Sequence, residues 1–149
     1  MTDNSVTLSQ KTISPKWELF DAKDETLGRF CSKIANILQG KNKTDYVKHI
    51  NNGDFVVVIN ADKIKVTGKK MTDKKYYHYS GYHGGMKEQS FEELLEIDST
   101  KIIKSAVSGM LPKNSLRKKL LSRLKIYSGP DHPHSAQINT KQYIHRSYS

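Results

Sequence analysis

The sequence predicts an α/β fold with a mainly parallel sheet, and two observations predict it. Strand-like and helix-like segments alternate along the chain, and one of them, Phe55-Val-Val-Val-Ile59, is an unbroken apolar, β-branched run. Alternating elements are what a layered α/β architecture requires. An apolar run without polar alternation is what a central strand covered on both faces looks like. At 149 residues the chain suits one domain, and it holds no internal repeat and no linker long enough to divide it.

Residues 1–15 are polar, aperiodic and closed by Ser14-Pro15, the pattern of a flexible arm. Trp17 to Phe20 reads as a short strand. Thr26 is placed to cap a helix whose apolar set is Leu27, Phe30, Cys31, Ile34, Ile37 and Leu38, with Gly40 where a C-terminal stop belongs. Cys31 falls on the buried face, which suits packing and not reactivity. Arg29 and Lys33 point away from that face. After the central run, Ile64-Lys65-Val66 reads as a short strand or turn, and Lys75 to Tyr79 as a strand followed by a loop with Gly81, Gly84 and Gly85. Ser90 and Glu93 form a capping-box pattern for a helix from Phe91 to about Ile97. Ser99 or Thr100 starts a second helix carrying Ile102, Ile103, Ala106, Val107 and Met110, which Pro112 ends. A third helix begins near Ser115, with Leu116, Leu120, Leu121 and Leu124 on one side and Arg117, Lys118, Lys119 and Arg123 on the rest of its surface. Lys125 to Tyr127 reads as a last strand, and the remaining residues have the composition of a tail.

The formal net charge is +10, and its placement says more than its size. Residues 1–100 hold 15 basic residues against 14 acidic, a net of +1; residues 101–149 hold 10 against Asp131 alone, a net of +9. Such an excess favours a polyanionic partner through phosphate neutralisation and counterion release. Cys31 is the single cysteine, which excludes an intramolecular disulfide and a Cys-based metal cluster and suits a reducing compartment. No apolar run approaches membrane-spanning length, and the N-terminus carries no signal-peptide pattern, so cytoplasm is the expected location.

Two segments carry the binding chemistry. Lys113, Arg117, Lys118, Lys119, Arg123 and Lys125 lie within 13 residues, in a stretch with no acid between Asp98 and Asp131. Backed by a leucine stripe, they make a cationic face suited to a phosphate backbone. The second segment interleaves Lys69, Lys70, Lys74, Lys75 and Lys87 with Tyr76, Tyr77, Tyr79 and Tyr82, where aromatic faces can stack on unpaired bases or pack on ribose. The plainer reading of that segment is a β-hairpin with half-buried tyrosines and glycines that serve the turn. His132 and His134 are spaced to chelate, and His78 and His83 are near each other, but no third or fourth ligand completes a metal site. There is no G-x-S-x-G elbow, Walker loop or dinucleotide glycine fingerprint. Asp21 and Asp54 sit singly at strand boundaries, where turn and capping roles prevail. A nucleotide-processing enzyme using His78, His83 or His132 therefore lacks an acid–base pair. An RNA regulator is a further alternative that composition leaves open.

Several segments, taken in order, add to this. They are Trp17 to Ala22; Leu27-Gly28-Arg29; Leu38-Gln39-Gly40-Lys41 with Lys43 and Tyr46; His49 to Asp54; Ile59-Asn60-Ala61 with Lys63; Thr67-Gly68-Lys69; and Tyr76-Tyr77-His78. Gly81-Tyr82 with Gly84-Gly85 and Lys87 comes next, then Ala106-Val107 and Gly109 to Lys113, then Leu124-Lys125 with Tyr127, Gly129, His132 to His134 and Ala136-Gln137. Together they resemble the large-subunit ribosomal protein L-thirteen family in its bacterial form, over about residues 16–137. The Gly109 to Lys113 stretch is the most specific. Asn114-Ser115 stands where Gly-Pro is frequent in the family, and His83 where proline often stands.

The resemblance implies a three-layer α/β/α fold with a small, mainly parallel central sheet, in one domain spanning 16–137 between an arm (1–15) and a tail (138–149). It implies a structural constituent of the large ribosomal subunit that binds 23S-type rRNA, adjoins neighbouring ribosomal proteins and acts early in assembly. No catalysis, cofactor, metal, membrane or small-molecule substrate is expected. The expected RNA-facing set comprises the cationic residues of both segments named above, with Tyr77, His78, Tyr82, Gly84 and Gly85. Arg29, Lys41, Lys43, His132 and His134 complete it.

Overall fold

In the computed structural model, residues 14–138 are described; most of the expected arm and residues 139–149 of the expected tail lie outside them. The elements are β1 (Trp17–Asp21), α1 (Leu27–Gln39), β2 (Phe55–Ile59), a 3-10 turn (Ala61–Lys63), α2 (Lys70–Asp73), β3 (Lys75–Tyr79), β4 (Met86–Ser90), α3 (Phe91–Met110), α4 (Leu116–Ser122) and β5 (Leu124–Ile126). β1, β2 and β5 form a parallel sheet with β2 in the centre. The α/β class and the mainly parallel sheet are as the sequence implies. Among the described residues no helix is long and apolar enough to cross a membrane.

The apolar run of β2 is explained by its two covered faces. Val56, Val57 and Val58 are all fully buried. Val56 and Val58 join the helical core, with Phe20, Leu124 and Ile126 beside them on the flanking strands. α1 packs there through Phe30, Cys31, Ile34 and Leu38, and α3 through Phe91, Ile102, Ile103 and Val107. Burial pushes the Cys31 thiol up to about 12, so it stays protonated and inert, as packing requires. Successive side chains of a strand point to opposite faces, so Val57 looks the other way with Phe55. On that second face Trp17 stacks on Phe55 with ring centroids 4.4 Å apart, and His134 stacks on Trp17 at 5.1 Å. The segment after β5 is therefore not a loose tail up to residue 138: it lies on the sheet, and Ile138 is buried.

Several local expectations are corrected by the geometry. Thr26 precedes α1 but makes no side-chain cap; the first-turn N–H of Leu27 donates to the Lys65 carbonyl. Of the Ile64 to Val66 segment, read as a short strand or turn, only Lys65 pairs, in an isolated parallel bridge with Thr26. The two helices expected here, one ending near Ile97 and one starting at Ser99 or Thr100, are both present within α3, divided by a kink at Asp98, whose backbone is non-helical (φ −158°, ψ 89°). The cap of the second half is Asp98, whose carboxylate accepts from the Thr100 N–H and hydroxyl, and not Ser99 or Thr100. For α4 it is the Asn114 carboxamide that accepts from the Arg117 N–H, while Ser115 makes no cap. The capping box of Ser90 and Glu93 is present as read. α2 is not among the elements read from the sequence, and β4 enters only as the second strand of the plainer hairpin reading: α2 is a single turn, and β4 is exposed on both faces, so neither carries an apolar period.

The junction from α1 to β2 is the tightest part of the backbone. Gly40 ends α1 in the left-handed region, at φ +76°. A Cβ on Gly53 would stand 1.7 Å from the Leu38 carbonyl oxygen. Backbone on both sides leaves no flexible group to yield. Gly53→Ala is expected to cost about 3 kcal/mol or more, seen as a fall in Tm of roughly 6–12 °C. A Tm within 2 °C of the parent would mean this junction is not packed as described.

Candidate nucleic-acid interface

The last third of the chain builds its cationic surface on a turn between two helices. Buried Leu111 anchors the turn after α3, and buried Leu120 anchors α4 to the same core. With those leucines inward, Lys113, Lys118 and Lys119 are exposed. Arg117 is half-buried, and its Nη2 donates to Ser108 Oγ at 2.5 Å, tying α4 to α3. Arg123 was expected on the outward face of this helix and is found turned inward. Its guanidinium donates to the carbonyls of Gly53 and Asn51 and lies 5.3 Å from the Phe55 ring centroid. The reason is that carbonyls in a buried loop need donors, and this side chain is long enough to supply two. Burial pulls the Arg123 pKa down, against the opposing effect of Asp54.

The loop from Gly40 to Asp54 is held by a second internal set. Asp54 is buried and accepts from the Lys16 N–H at 2.8 Å and from Lys43 Nζ at 2.6 Å; Lys43 also donates to the Asn52 carbonyl at 3.0 Å. Burial and the nearby Asp54 push the Glu18 carboxyl up. Asp21 accepts from the Lys23 N–H and the Asn60 carboxamide. Both acids thus have the turn roles their positions imply. Arg29, Lys41, Lys48 and His49 are exposed around this loop and the start of α1.

The tyrosine-rich segment is a β-hairpin. β3 and β4 pair antiparallel, with Tyr79 opposite Met86, Tyr77 opposite Glu88 and His78 opposite Lys87. Gly81 (φ +90°) and Gly84 (φ +72°) make the turn, and a Cβ on Gly85 would meet Ser80 Oγ at 2.0 Å. The glycines are thus explained by the turn itself. Tyr76 packs against the core and Phe91, with Lys74 Nζ 5.3 Å from its ring. Tyr77, Tyr79, Tyr82 and Met86 are exposed, at 59% to 79%. Alternation puts Tyr77, Tyr79 and Met86 on one face, with His78 and Lys87 on the other. Lys75 is paired with Glu88, which raises its pKa; Lys69, Lys70 and Lys87 are exposed. Tyr79 and Met86 are additions to the expected set, and Met86 escapes sequence reasoning because β4 is otherwise polar.

The histidines near the C-terminal end do structural work. His134 Nε2 lies 2.9 Å from the Tyr127 hydroxyl, and its N–H donates to His132 Nδ1 at 3.2 Å. Lys125 is half-buried on β5 nearby. Among the described residues no group of three or more His, Cys, Asp and Glu side chains is placed to hold a metal ion.

The described geometry defines a class: a small α/β body that presents an acid-free cationic helical corner and an exposed aromatic hairpin, both suited to a polyanion with unpaired bases. Comparison with known proteins gives the family. The model of the family described as Ribosomal protein L13 matches residues 15–133. A large ribosomal subunit protein uL13 of Thermus thermophilus is 51% identical over 127 residues, 85% of this chain and 91% of its own length. The uL13 proteins of Coxiella burnetii, 52% identical over 85% of this chain and 89% of theirs, and Prochlorococcus marinus, 50% over 91% and 94%, are similar. The chain belongs to the ribosomal protein L13 family.

His134 offers a test of the strap over the second sheet face. Burial, then His132 and Lys125, hold its pKa below the ordinary histidine value of 6.5. Protons therefore bind better to the released form, so the contact is complete above pH 6.5 and weakens as pH falls through and below that value. Trp17 is the chain's one tryptophan and touches the ring. Its fluorescence is expected to titrate with a midpoint under 6.5, and the step should vanish in His134→Gln. A midpoint above 6.5, or a step that survives the substitution, contradicts the assignment.

Proposed function

We propose that this chain is a structural constituent of the large ribosomal subunit, held there by large-subunit rRNA, supporting early subunit assembly and having no catalytic activity. The observation that carries the reading is family membership over residues 15–133, among relatives named as large ribosomal subunit proteins. The geometry gives that reading a mechanism. Exposed Lys113, Lys118 and Lys119 neutralise phosphates brought together by RNA folding, and the α/β body fixes their separation. The exposed face of the hairpin supplies Tyr77, Tyr79 and Tyr82 to bases or ribose. Lys43, Lys75 and Arg123 act differently from the other cations in the expected set, because Lys43 and Lys75 are paired with carboxylates and the Arg123 guanidinium is turned inward onto carbonyls. Neighbouring ribosomal proteins adjoin the chain in the particle, within the cytoplasm.

Sedimentation with large subunits through a salt wash tests the reading, and loss of the chain at modest salt would overturn it. In direct rRNA binding, Lys118→Ala with Lys119→Ala is expected to weaken affinity with little change in Tm. The slope of log affinity against log salt should flatten by about 2, near 0.9 for each phosphate that is no longer neutralised. An unchanged slope would remove this corner from the interface.

A further inference from the structure

A cleft of about 670 Å³ opens between the start of α1, α2 with the start of β3, and the end of α3. We propose that it receives one unpaired nucleotide of the RNA, with the base inside and the phosphate on Lys70 and Lys74; the inference rests on the rRNA-binding reading above and deepens it.

The first observation is what the cleft gathers. Gly28, Thr67 and Gly109 are far apart in the chain and come from three of the segments on which the family resemblance rests, yet all three line this one cleft. The packing of α1 on α3 and the Leu27–Lys65 backbone bond bring them together, and the space between them is left open.

The second is the pair of glycines. Gly28 lies in α1 and Gly109 in α3, neither has positive φ, and a Cβ on either would meet nothing within 4 Å. Gly40, Gly53 and Gly85 answer to the protein's own backbone or side chains. These two do not. Gly28 is the second residue of α1 and Gly109 the next to last of α3, helical positions where alanine is no worse than glycine, so the open space before both points to a reason outside the chain. Close approach of a ligand to the helix backbone is that reason, and both glycines border the same space.

The third is the chemistry of the walls. Leu27, Val66, Ala106, Met110 and the Tyr76 ring make them mainly apolar, which suits the faces of a base. Lys70 and Lys74 stand on one side and form no ion pair among the described residues, against a single lining acid, Asp73. A net cationic rim over an apolar interior matches a nucleotide.

The test uses the full chain carrying Gly28→Ala and Gly109→Ala, with large-subunit rRNA as the probe. The double variant is expected to keep its Tm or gain about 2–4 °C, while rRNA affinity falls at least fivefold. Chemical probing of base reactivity should show one nucleotide that the parent protects and the variant leaves exposed. In a second variant, Lys70→Gln with Lys74→Gln, the salt slope should fall while the fold is kept. If the glycine variant binds with the parent's affinity and footprint, the proposal is wrong. If that result comes with loss of the variant from large subunits, the occupant is a segment of a neighbouring protein, which equally overturns it. Failure of the parent itself to bind rRNA would remove the functional reading, and this inference with it.

Discussion

The fold is tied together at one buried acid. Asp54 stands at the entrance to the central strand, 2% exposed, and a carboxylate in that position must be paired. Its partners are the Lys16 backbone before β1 and the Lys43 side chain in the loop after α1. The same loop offers the carbonyls of Asn51 and Gly53 to Arg123, just ahead of β5. Asp54 and its loop thus hold the entrances of all three parallel strands in register. Removing the carboxylate would leave Lys43 half-buried and uncompensated, and the loop would lose its anchor at the same moment. The cost of such a break exceeds that of any exposed ion pair here, such as Lys33 with Glu25 or Lys65 with Asp24.

This constraint also separates what was legible in the sequence from what was not. The helical stripe of α1, the apolar run of β2 and the Ser90–Glu93 box are local patterns, and they appear where periodicity and capping chemistry put them. The boundary residues were harder. Asp98 and Asn114 cap because tertiary packing bends the chain there, and propensity cannot choose between adjacent Asp, Ser, Thr and Asn residues. β4 has no apolar alternate because both its faces are open. Among the cations, residue type alone cannot tell a phosphate ligand from a structural tie. Lys118 and Arg123 are read from the sequence as cations of the same helical surface, yet one is exposed and the other reaches across to a loop 70 residues away.

The glycines show the same division. Those of the hairpin answer to the chain itself: two supply positive φ, and the third avoids Ser80 and Tyr82. The exposed tyrosines that the hairpin carries have no such internal reason. Burying large apolar surface is the main favourable term in folding, and a chain this thin in core gains nothing by placing three tyrosines and a methionine in water. The exposed Tyr77, Tyr79 and Met86 share one face of the hairpin with the Lys75–Glu88 ion pair, while His78 and Lys87 lie on the other. A ligand that offers both planar apolar surfaces and negative charge, with the two held at fixed separation, satisfies that division. An unfolded polyanion or a purely apolar surface satisfies half of it.

Charge placement leads to the same requirement from the energetic side. Residues 101–149 carry a net of +9, ten basic residues less Asp131, and between Asp98 and Asp131 no carboxylate offsets it. Arg117 and Arg123 bond to a hydroxyl and to carbonyls, so they are hydrogen-bonded without being neutralised. The corner formed by the end of α3, the turn and α4 is thus assembled against its own repulsion, which salt screens and a polyanion removes. Anything that binds this arrangement and not the unfolded chain stabilises it by mass action. The polyanion that the surface attracts is therefore also the ligand that most favours the folded corner, and binding and folding of this region are linked through the same lysines.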